Sequence, residues 1–409
     1  MRIAITSNGP GEFAGWVRPL VAALLRLAPQ TEITLFFVPD DYATGREPDV
    51  ARRLFPGVRI VARAAYLKFA LGGKVAEAPE AADIVQYLGG DLLHAARVHA
   101  RLGGRARSYK FARKRYRDEF ERVYAVDTKN ERELARAGFP PERIEVVGNL
   151  AVDGALAEAA GLFTAGAPEV AIETGGILFM PGTRKYEVAN LVPFFVQTAL
   201  RLRAARPGLP IAFAISPFTS EEELARSLAA GGHRNVWGTR GRLVPLGAGF
   251  GLQASDGSAP FPVVRDAMRH AARARLAVTL PGTKCIELAA LGVPAVVCVP
   301  LNAPELVVIN GPLQYLDRLP LIGTALKRAI VVGVDAHFPL AAQPNIDAGE
   351  EVMPELRGTL MPGEVARRIA SYADDDRALA NASERLRALY ASHVGAAERM
   401  ARSLLERAE

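Results

Sequence analysis

Two phrases in this 409-residue chain share one grammar. Met180-Pro181-Gly182-Thr183-Arg184-Lys185-Tyr186-Glu187 and Leu280-Pro281-Gly282-Thr283-Lys284-Cys285-Ile286-Glu287 each follow an apolar run. Each gives Pro-Gly-Thr, a cation, two residues and Glu, and each opens a helical pattern. A strand that turns through glycine into a helix offers unpaired N–H groups, and the positive end of the helix dipole, to an anion. Threonine caps such a helix or bonds a phosphate oxygen, and Arg184 or Lys284 adds a full positive charge. A single such turn reads equally well as an ordinary capped βα loop. Its repetition points to neighbouring loops on one sheet edge that hold a nucleotide diphosphate, with Glu287 reaching ribose hydroxyls or closing a capping box on Thr283.

Other loops carry candidate chemistry. Ser7-Asn8-Gly9-Pro10-Gly11-Glu12-Phe13-Ala14-Gly15-Trp16 follows the first apolar run. Gly9, Gly11 and Gly15 allow close backbone approach and positive φ there, beside Asn8. The spacing has one residue too many for a dinucleotide fingerprint. Glu12 is an acid suited to a helix start or to accepting substrate hydroxyls. Asp91, after Gly89-Gly90, is placed either to take a proton from an acceptor hydroxyl or to cap the helix from Leu92. His94 and His99 on that helix read as solvated or capping. Asp153, after Val147-Gly148-Asn149-Leu150, lines a cleft or caps.

These loops need strands to carry them. Arg2–Thr6, Glu32–Val38, Val58–Ala62, Ile84–Leu88, Arg122–Val126 and Ile144–Val147 read as strands, with helices between them, the first from Gly15 to Leu27. A second series follows: strand Ile177–Met180, helix Glu187–Arg203, strand Ile211–Ile215, helix Ser220–Ala229, strand Leu276–Leu280, helix Lys284–Leu291 and strand Ala295–Val299. Gly238 to Pro262 resists assignment. The alternation predicts an α/β protein of two doubly wound, Rossmann-like domains, with strand C-terminal ends facing a cleft. The expected domains are 1–165 on the acceptor side and 176–373 for the nucleotide sugar, with a helical segment 374–409 crossing back to the first.

Composition limits the alternatives. Half the residues are hydrophobic and 23% are charged, as in a folded globular chain. Cys285 and Cys298 lie in apolar segments and form no metal-ligand pattern, which fits plain core residues in a reducing cytoplasm. Met1-Arg2-Ile3-Ala4-Ile5-Thr6 reads as a first strand rather than a signal peptide. No apolar stretch approaches a membrane span. The net charge is +6. Arg101 to Arg122 concentrates cations among Tyr109, Phe111, Tyr116 and Phe120, a composition suited to anionic lipid head groups or to a solvated helix face. No nucleic-acid motif accompanies it. Tyr66 to Leu71 and Leu313 to Ile322 mix apolar and charged residues and either dip into a bilayer face or close the core.

Most of the chain, and most clearly the part from residue 175 onward, resembles the lipid-A-disaccharide synthase family, inverting glycosyltransferases of the GT-B fold. Pro181-Gly182-Thr183-Arg184 with Glu187 is similar to the family's P-G-S-R-x-x-E loop, and Gly282-Thr283 through Glu287 to its S-G-T-x-x-x-E turn. Gln343-Pro344-Asn345 through Pro354-Glu355-Leu356 resembles its L-P-N…P-E-L segment. Trp16 stands where the family's first loop carries an acid, Pro281 replaces its Ser, and Val147-Gly148-Asn149-Leu150-x-x-Asp153 is closer to related Kdo transferases. The resemblance implies transfer of an N-acetylglucosamine-type sugar from a UDP-sugar to a lipid or glycolipid acceptor at the inner membrane face. Gly182, Thr183, Arg184, Gly282, Thr283, Lys284, Glu287, Asn345 and Glu355 would serve the donor. Asp91, with Glu12, would serve catalysis, and Asn8, Gly9, Gly11 and Gly15 the acceptor loop. No metal or other cofactor is implied. A sugar-nucleotide epimerase of the same architecture, or a non-catalytic nucleotide- or lipid-binding protein, are the alternatives.

Overall fold

A computed structural model describes residues 1–40, 43–164, 166, 170–303, 333 and 339–406. The chain divides into two units, one made of Met1–Ala157 and Tyr390–Glu409, the other of Glu158–Leu389.

The first unit holds a seven-stranded sheet in the order β3-β2-β1-β4-β5-β6-β7. Its strands are β1 (Arg2–Ser7), β2 (Glu32–Phe37), β3 (Arg59–Val61), β4 (Ile84–Tyr87), β5 (Arg105–Tyr109), β6 (Arg122–Ala125) and β7 (Ile144–Val146). Every neighbour pair is parallel. Helices cover such a sheet on both faces, which is why β1, β2 and β4 are nearly continuous apolar runs, buried after the first residue in β1 and β2 and throughout in β4. β5 was not expected. Its Arg105 and Arg107 disguise it, yet Arg107 is only 4% exposed. The Arg107 guanidinium donates to Glu121 Oε1 (3.0 Å), the Tyr124 hydroxyl (2.8 Å) and the Ser403 carbonyl (2.8 Å). The basic segment is therefore a buried strand and a loop, not one helix face.

The second unit holds an eight-stranded sheet in the order β10-β11-β12-β9-β8-β13-β14-β15. Its strands are β8 (Ile177–Phe179), β9 (Ile211–Ala214), β10 (Gly241–Leu246), β11 (Gly249–Ala254), β12 (Phe261–Val264), β13 (Leu276–Thr279), β14 (Ala295–Pro300) and β15 (Glu355–Gly358). The unassigned Gly238–Pro262 stretch is the hairpin β10–β11, antiparallel and continued antiparallel onto β12. The remaining neighbours are parallel. The core of this unit gathers Phe179, Phe194, Phe195, Phe213 and Phe261 beside Leu276 and Ile369.

The C-terminal segment is two helices. Asp376–Tyr390 lies with the second unit up to Leu389, whereas Ala396–Leu405 belongs to the first. Arg26 on the helix Arg18–Leu27 pairs with Glu398 at 2.6 Å. Asp153 receives the Gly395 and Ala397 amides at 2.8 and 2.6 Å, so it caps this last helix instead of lining a cleft. Two doubly wound α/β units with a C-terminal helix returning to the first sheet constitute a GT-B-type fold. Among the described residues no helix is long and apolar enough to cross a membrane.

Candidate functional site

In an open parallel sheet, ligands bind outside the strand C-terminal ends where the winding reverses. In the second sheet that point lies between β8 and β13, paired in register through Ile177–Leu276, Leu178–Ala277 and Phe179–Val278. The two Pro-Gly-Thr turns leave these two strands, so the repeated phrase becomes two adjacent loops on one edge.

The turns differ in chemistry. After β8, Glu187 folds back on its own helix start. Its Oε2 accepts the Thr183 and Arg184 amides at 2.9 and 3.0 Å, and its Oε1 accepts Arg184 Nη1 at 3.1 Å. The helix Lys185–Ala205 is thus capped by Arg184, not by Thr183. The amides expected to meet a phosphate are already occupied. Gly182, at φ +96°, is required here, because a Cβ would lie 2.2 Å from Glu187 Oε2. Burial pushes the neighbouring Tyr186 hydroxyl up to about 12, and the Glu187 carboxylate reinforces the shift.

After β13, Gly282 is itself the cap of the helix Thr283–Ala290, at φ +151° and ψ −168°, and it supplies no side-chain cap bond. Among the described residues nothing lies within 4 Å of where its Cβ would be. Lys284 Nζ meets Glu287 Oε2 at 2.5 Å, with the carboxylate 3% exposed and the lysine 27%. Among the described residues no side chain accepts from the Thr283 or Lys284 amide, so this turn keeps an open helix start that carries a cation. Cys285 sits beneath, bonding the Leu280 carbonyl through Sγ, and burial pushes its thiol up to about 12. Cys298, also buried, is raised to about 12 for the same reason.

Asn345 and Glu355, expected to touch the nucleotide sugar, are turned inward. Asn345 is fully buried; its Oδ1 accepts the Val352 and Met353 amides and its Nδ2 donates to Met353 O and Glu355 Oε1. Glu355 takes the Ala341 and Ala342 amides and Arg357. Both hold the loop that carries the helix Gln343–Ala348 and have no capacity left for a ligand.

In the first sheet the winding reverses between β1 and β4. Asn8 follows β1, and its Nδ2 donates to Asp40 Oδ2 at 3.0 Å. Asn8 Oδ1 is buried without a partner and would lie 2.1 Å from a Cβ on Gly89, which must therefore be glycine. Asp91, after β4, caps the helix Leu92–Leu102 through the Leu93 amide at 2.8 Å, and its other oxygen faces Arg113 Nη1 at 3.3 Å. Its side chain stays 44% exposed. The Tyr87 hydroxyl donates to Gly90 O, and burial, then Glu12, Asp91 and Asp40, push its ionisation upward against Arg113. Glu12, Asp40, Asp91 and Arg113 therefore share one polar patch at this edge.

The glycine loop after β1 is a correction. The helix begins at Pro10 with Gly9 as cap, passes through a π turn at Phe13–Val17 and continues to Leu27. Gly9, Gly11 and Gly15 are absent from the positive-φ residues; Gly9 caps the helix, and Gly11 and Gly15 lie within it rather than in a loop. The wide turn aims Trp16 at Tyr109 and Phe111 (ring centres 5.5 and 6.2 Å). Lys110 Nζ lies 5.7 Å from the Trp16 ring and 5.5 Å from the Phe111 ring. Lys110 is at φ +63°, costly for a non-glycine residue, and Phe111 is 46% exposed. Sequence reasoning missed this cluster, whose only signal was an aromatic beside a cation at a strand end. Tyr109 and Phe120 are core residues. Of the Tyr66–Leu71 segment, Tyr66 and Phe69 close the core while Leu67 and Leu71 are exposed. Leu313 to Ile322 lies outside the described residues.

No known family's sequence profile matches the chain. Two lipid-A-disaccharide synthases, from Geobacter sulfurreducens and Geobacter metallireducens, are similar to 196 residues of it, at 26% and 27% identity. The match covers 48% of this chain and spans 38% of the length of each relative. Among solved structures, an S. aureus MnaA–UDP complex superposes with a TM-score of 0.59 at 11% identity, covering 99% of this chain and 96% of that one. A Neisseria meningitidis UDP-GlcNAc 2-epimerase bound to UDP-GlcNAc superposes with a TM-score of 0.56 at 10% identity over the whole of both chains. At such identities the likeness is one of fold.

Proposed function

We propose that this chain is an inverting, metal-independent glycosyltransferase. It moves a sugar of the N-acetylglucosamine type from UDP to a lipid or glycolipid acceptor, as a peripheral protein at the cytoplasmic face of a membrane. The observation that carries the reading is the open Gly282–Lys284 turn beside the sealed Gly182–Glu187 turn at the winding reversal of the second sheet. The helix start and Lys284 offset the charge that builds on the leaving diphosphate, and Glu287 exchanges its lysine for ribose hydroxyls. In the first unit Asp91, whose side chain stays 44% exposed, orients the acceptor by accepting from a hydroxyl next to the attacking one. Arg113, Lys114, Arg115 and Arg117, exposed around Phe111, suit an anionic head-group surface. The two synthase relatives support a lipid acceptor.

Calorimetric titration with UDP, UDP-N-acetylglucosamine, GDP and CMP tests the donor half, repeated with Glu287→Gln. Selective UDP binding weakened in the variant is the expected outcome; no binding of any nucleotide refutes the reading. Whole-chain superposition on a UDP-GlcNAc 2-epimerase supports a second reading, epimerisation at C2 of a UDP-sugar. Incubation of UDP-N-acetylglucosamine in deuterated water separates them. Deuterium at C2 with no free UDP supports the epimerase, and UDP release without exchange supports the transferase.

A further inference from the structure

We propose that His94 is a catalytic proton acceptor for the acceptor hydroxyl, working beside Asp91; this deepens the transferase reading and rests on it. His94 lies in the first turn of Leu92–Leu102, three residues after the Asp91 cap and at the winding reversal of the first sheet. Two contacts fix its ring. Nδ1 shares a 2.7 Å hydrogen bond with the hydroxyl of Tyr66, whose side chain is fully buried on the helix Arg63–Ala70. The two rings also meet edge to face at 5.3 Å and 86°. Nε2 has no partner among the described residues, and it is not one of the unpartnered side-chain atoms sealed from solvent, so it faces outward. Gly90 keeps the adjoining space clear. At φ +86°, a Cβ on it would lie 3.8 Å from His94 Cδ2, the atom bonded to Nε2, and would strike Val38 Cγ2 at 2.3 Å.

The charges around the ring suit a base. Burial holds the imidazole below its ordinary value near 6.5; Arg97, one turn on, pushes the same way and Asp91 opposes. His94 is thus neutral at neutral pH, and Asp91 stabilises the imidazolium once formed. Tyr66, raised to about 12 by burial, stays protonated. Its hydroxyl serves Nδ1 as donor or as acceptor, so the tautomer with a lone pair on Nε2 keeps its bond. In the step, Nε2 takes the acceptor proton as the acceptor oxygen bonds the anomeric carbon. The bond from that carbon to the diphosphate breaks, UDP leaves with the electron pair, and the imidazolium returns its proton to solvent.

Two measurements test this. The first is carbethoxylation by diethyl pyrocarbonate at pH 6, mapped over the six histidines. The second is the pH profile of UDP release from UDP-N-acetylglucosamine for the parent, His94→Gln and Tyr66→Phe, with UDP affinity and thermal melting as controls. His94 should react among the fastest. His94→Gln should lower kcat on the order of 100-fold at unchanged UDP affinity and remove the acid limb. Tyr66→Phe should keep activity and move that limb. An unreactive His94, or a variant with the parent kcat and profile, overturns the proposal and leaves the transferase reading standing. A parent protein that binds no UDP-sugar overturns both.

Discussion

Alanine at Gly182 and at Gly282 should do different damage, although the two positions are equivalent in sequence. At Gly182 the new Cβ falls 2.2 Å from Glu187 Oε2, so the carboxylate must leave the Thr183 and Arg184 amides. Two hydrogen bonds at about 1 kcal/mol each, with about 1 kcal/mol for a side chain at φ +96°, give a loss of about 3 kcal/mol. At Gly282 nothing among the described residues stands within 4 Å of the Cβ, and the glycine-specific φ +151° and ψ −168° resist, at about 1–3 kcal/mol. Relief of that strain turns the Thr283 and Lys284 amides away from their present direction, which is the property a diphosphate needs. Urea unfolding and UDP calorimetry on both variants read the two effects. Gly182→Ala should lower stability and leave UDP affinity within about twofold, whereas Gly282→Ala should weaken UDP binding about tenfold or more, the equivalent of about 1.4 kcal/mol. If Gly182→Ala abolishes binding while Gly282→Ala retains it, the assignment of sealed and open turns is wrong.

Asp153→Ala should free the start of Ala396–Leu405 at a cost of about 1–2 kcal/mol, seen as faster amide exchange in residues 395–398 than in β1. Asn345→Ala strands the buried Val352 and Met353 amides and should destabilise the second unit by about 2–4 kcal/mol in denaturant unfolding, with no selective effect on UDP affinity in the folded fraction. Phe111→Ala should weaken co-sedimentation with anionic vesicles by about 1–2 kcal/mol at low salt, and absence of binding by the parent protein refutes the membrane assignment. His94 also makes a stability prediction. Its folded-state ionisation lies below the unfolded value near 6.5, so the unfolded chain binds the extra proton first and stability falls as pH drops through about 6.5. His94→Gln should flatten that part of the melting-temperature profile.

What could be read ahead was local. Ile177–Phe179 and Leu276–Thr279 are short apolar runs bounded by Pro-Gly, and their turns announce themselves in a few consecutive residues. Their adjacency needed the sheet order, which the winding rule supplies. The chemistry of the two turns was not legible, because Glu187 and Glu287 occupy the same place in the motif. Only the fold-back of one carboxylate onto its own amides distinguishes them. The helix was legible from Gly15 to Leu27, but its start at Pro10 was obscured by glycines that normally break helices, and a π turn absorbs Gly15 within it. β5 was hidden because burial of Arg107 depends on partners as distant as Ser403. Asn345 stands out in the sequence for a role that turns out to be internal, satisfying a loop's own backbone.

The return of Ala396–Leu405 to the first sheet bears on synthesis. Arg107 and Ser403 are separated by 296 residues, Arg26 and Glu398 by 372, and Asp153 and Ala397 by 244. A ribosome delivers the chain from its N-terminal end, so seven strands and their helices emerge before the helix that covers one of their faces. Until then Arg107 lacks its Ser403 carbonyl, and Asp153 is a half-buried carboxylate with no helix to cap. The whole second unit is made in the interval. The earlier-synthesised unit therefore completes its contacts last. That order leaves the surface covered by the last helix open to chaperones and proteases during the interval.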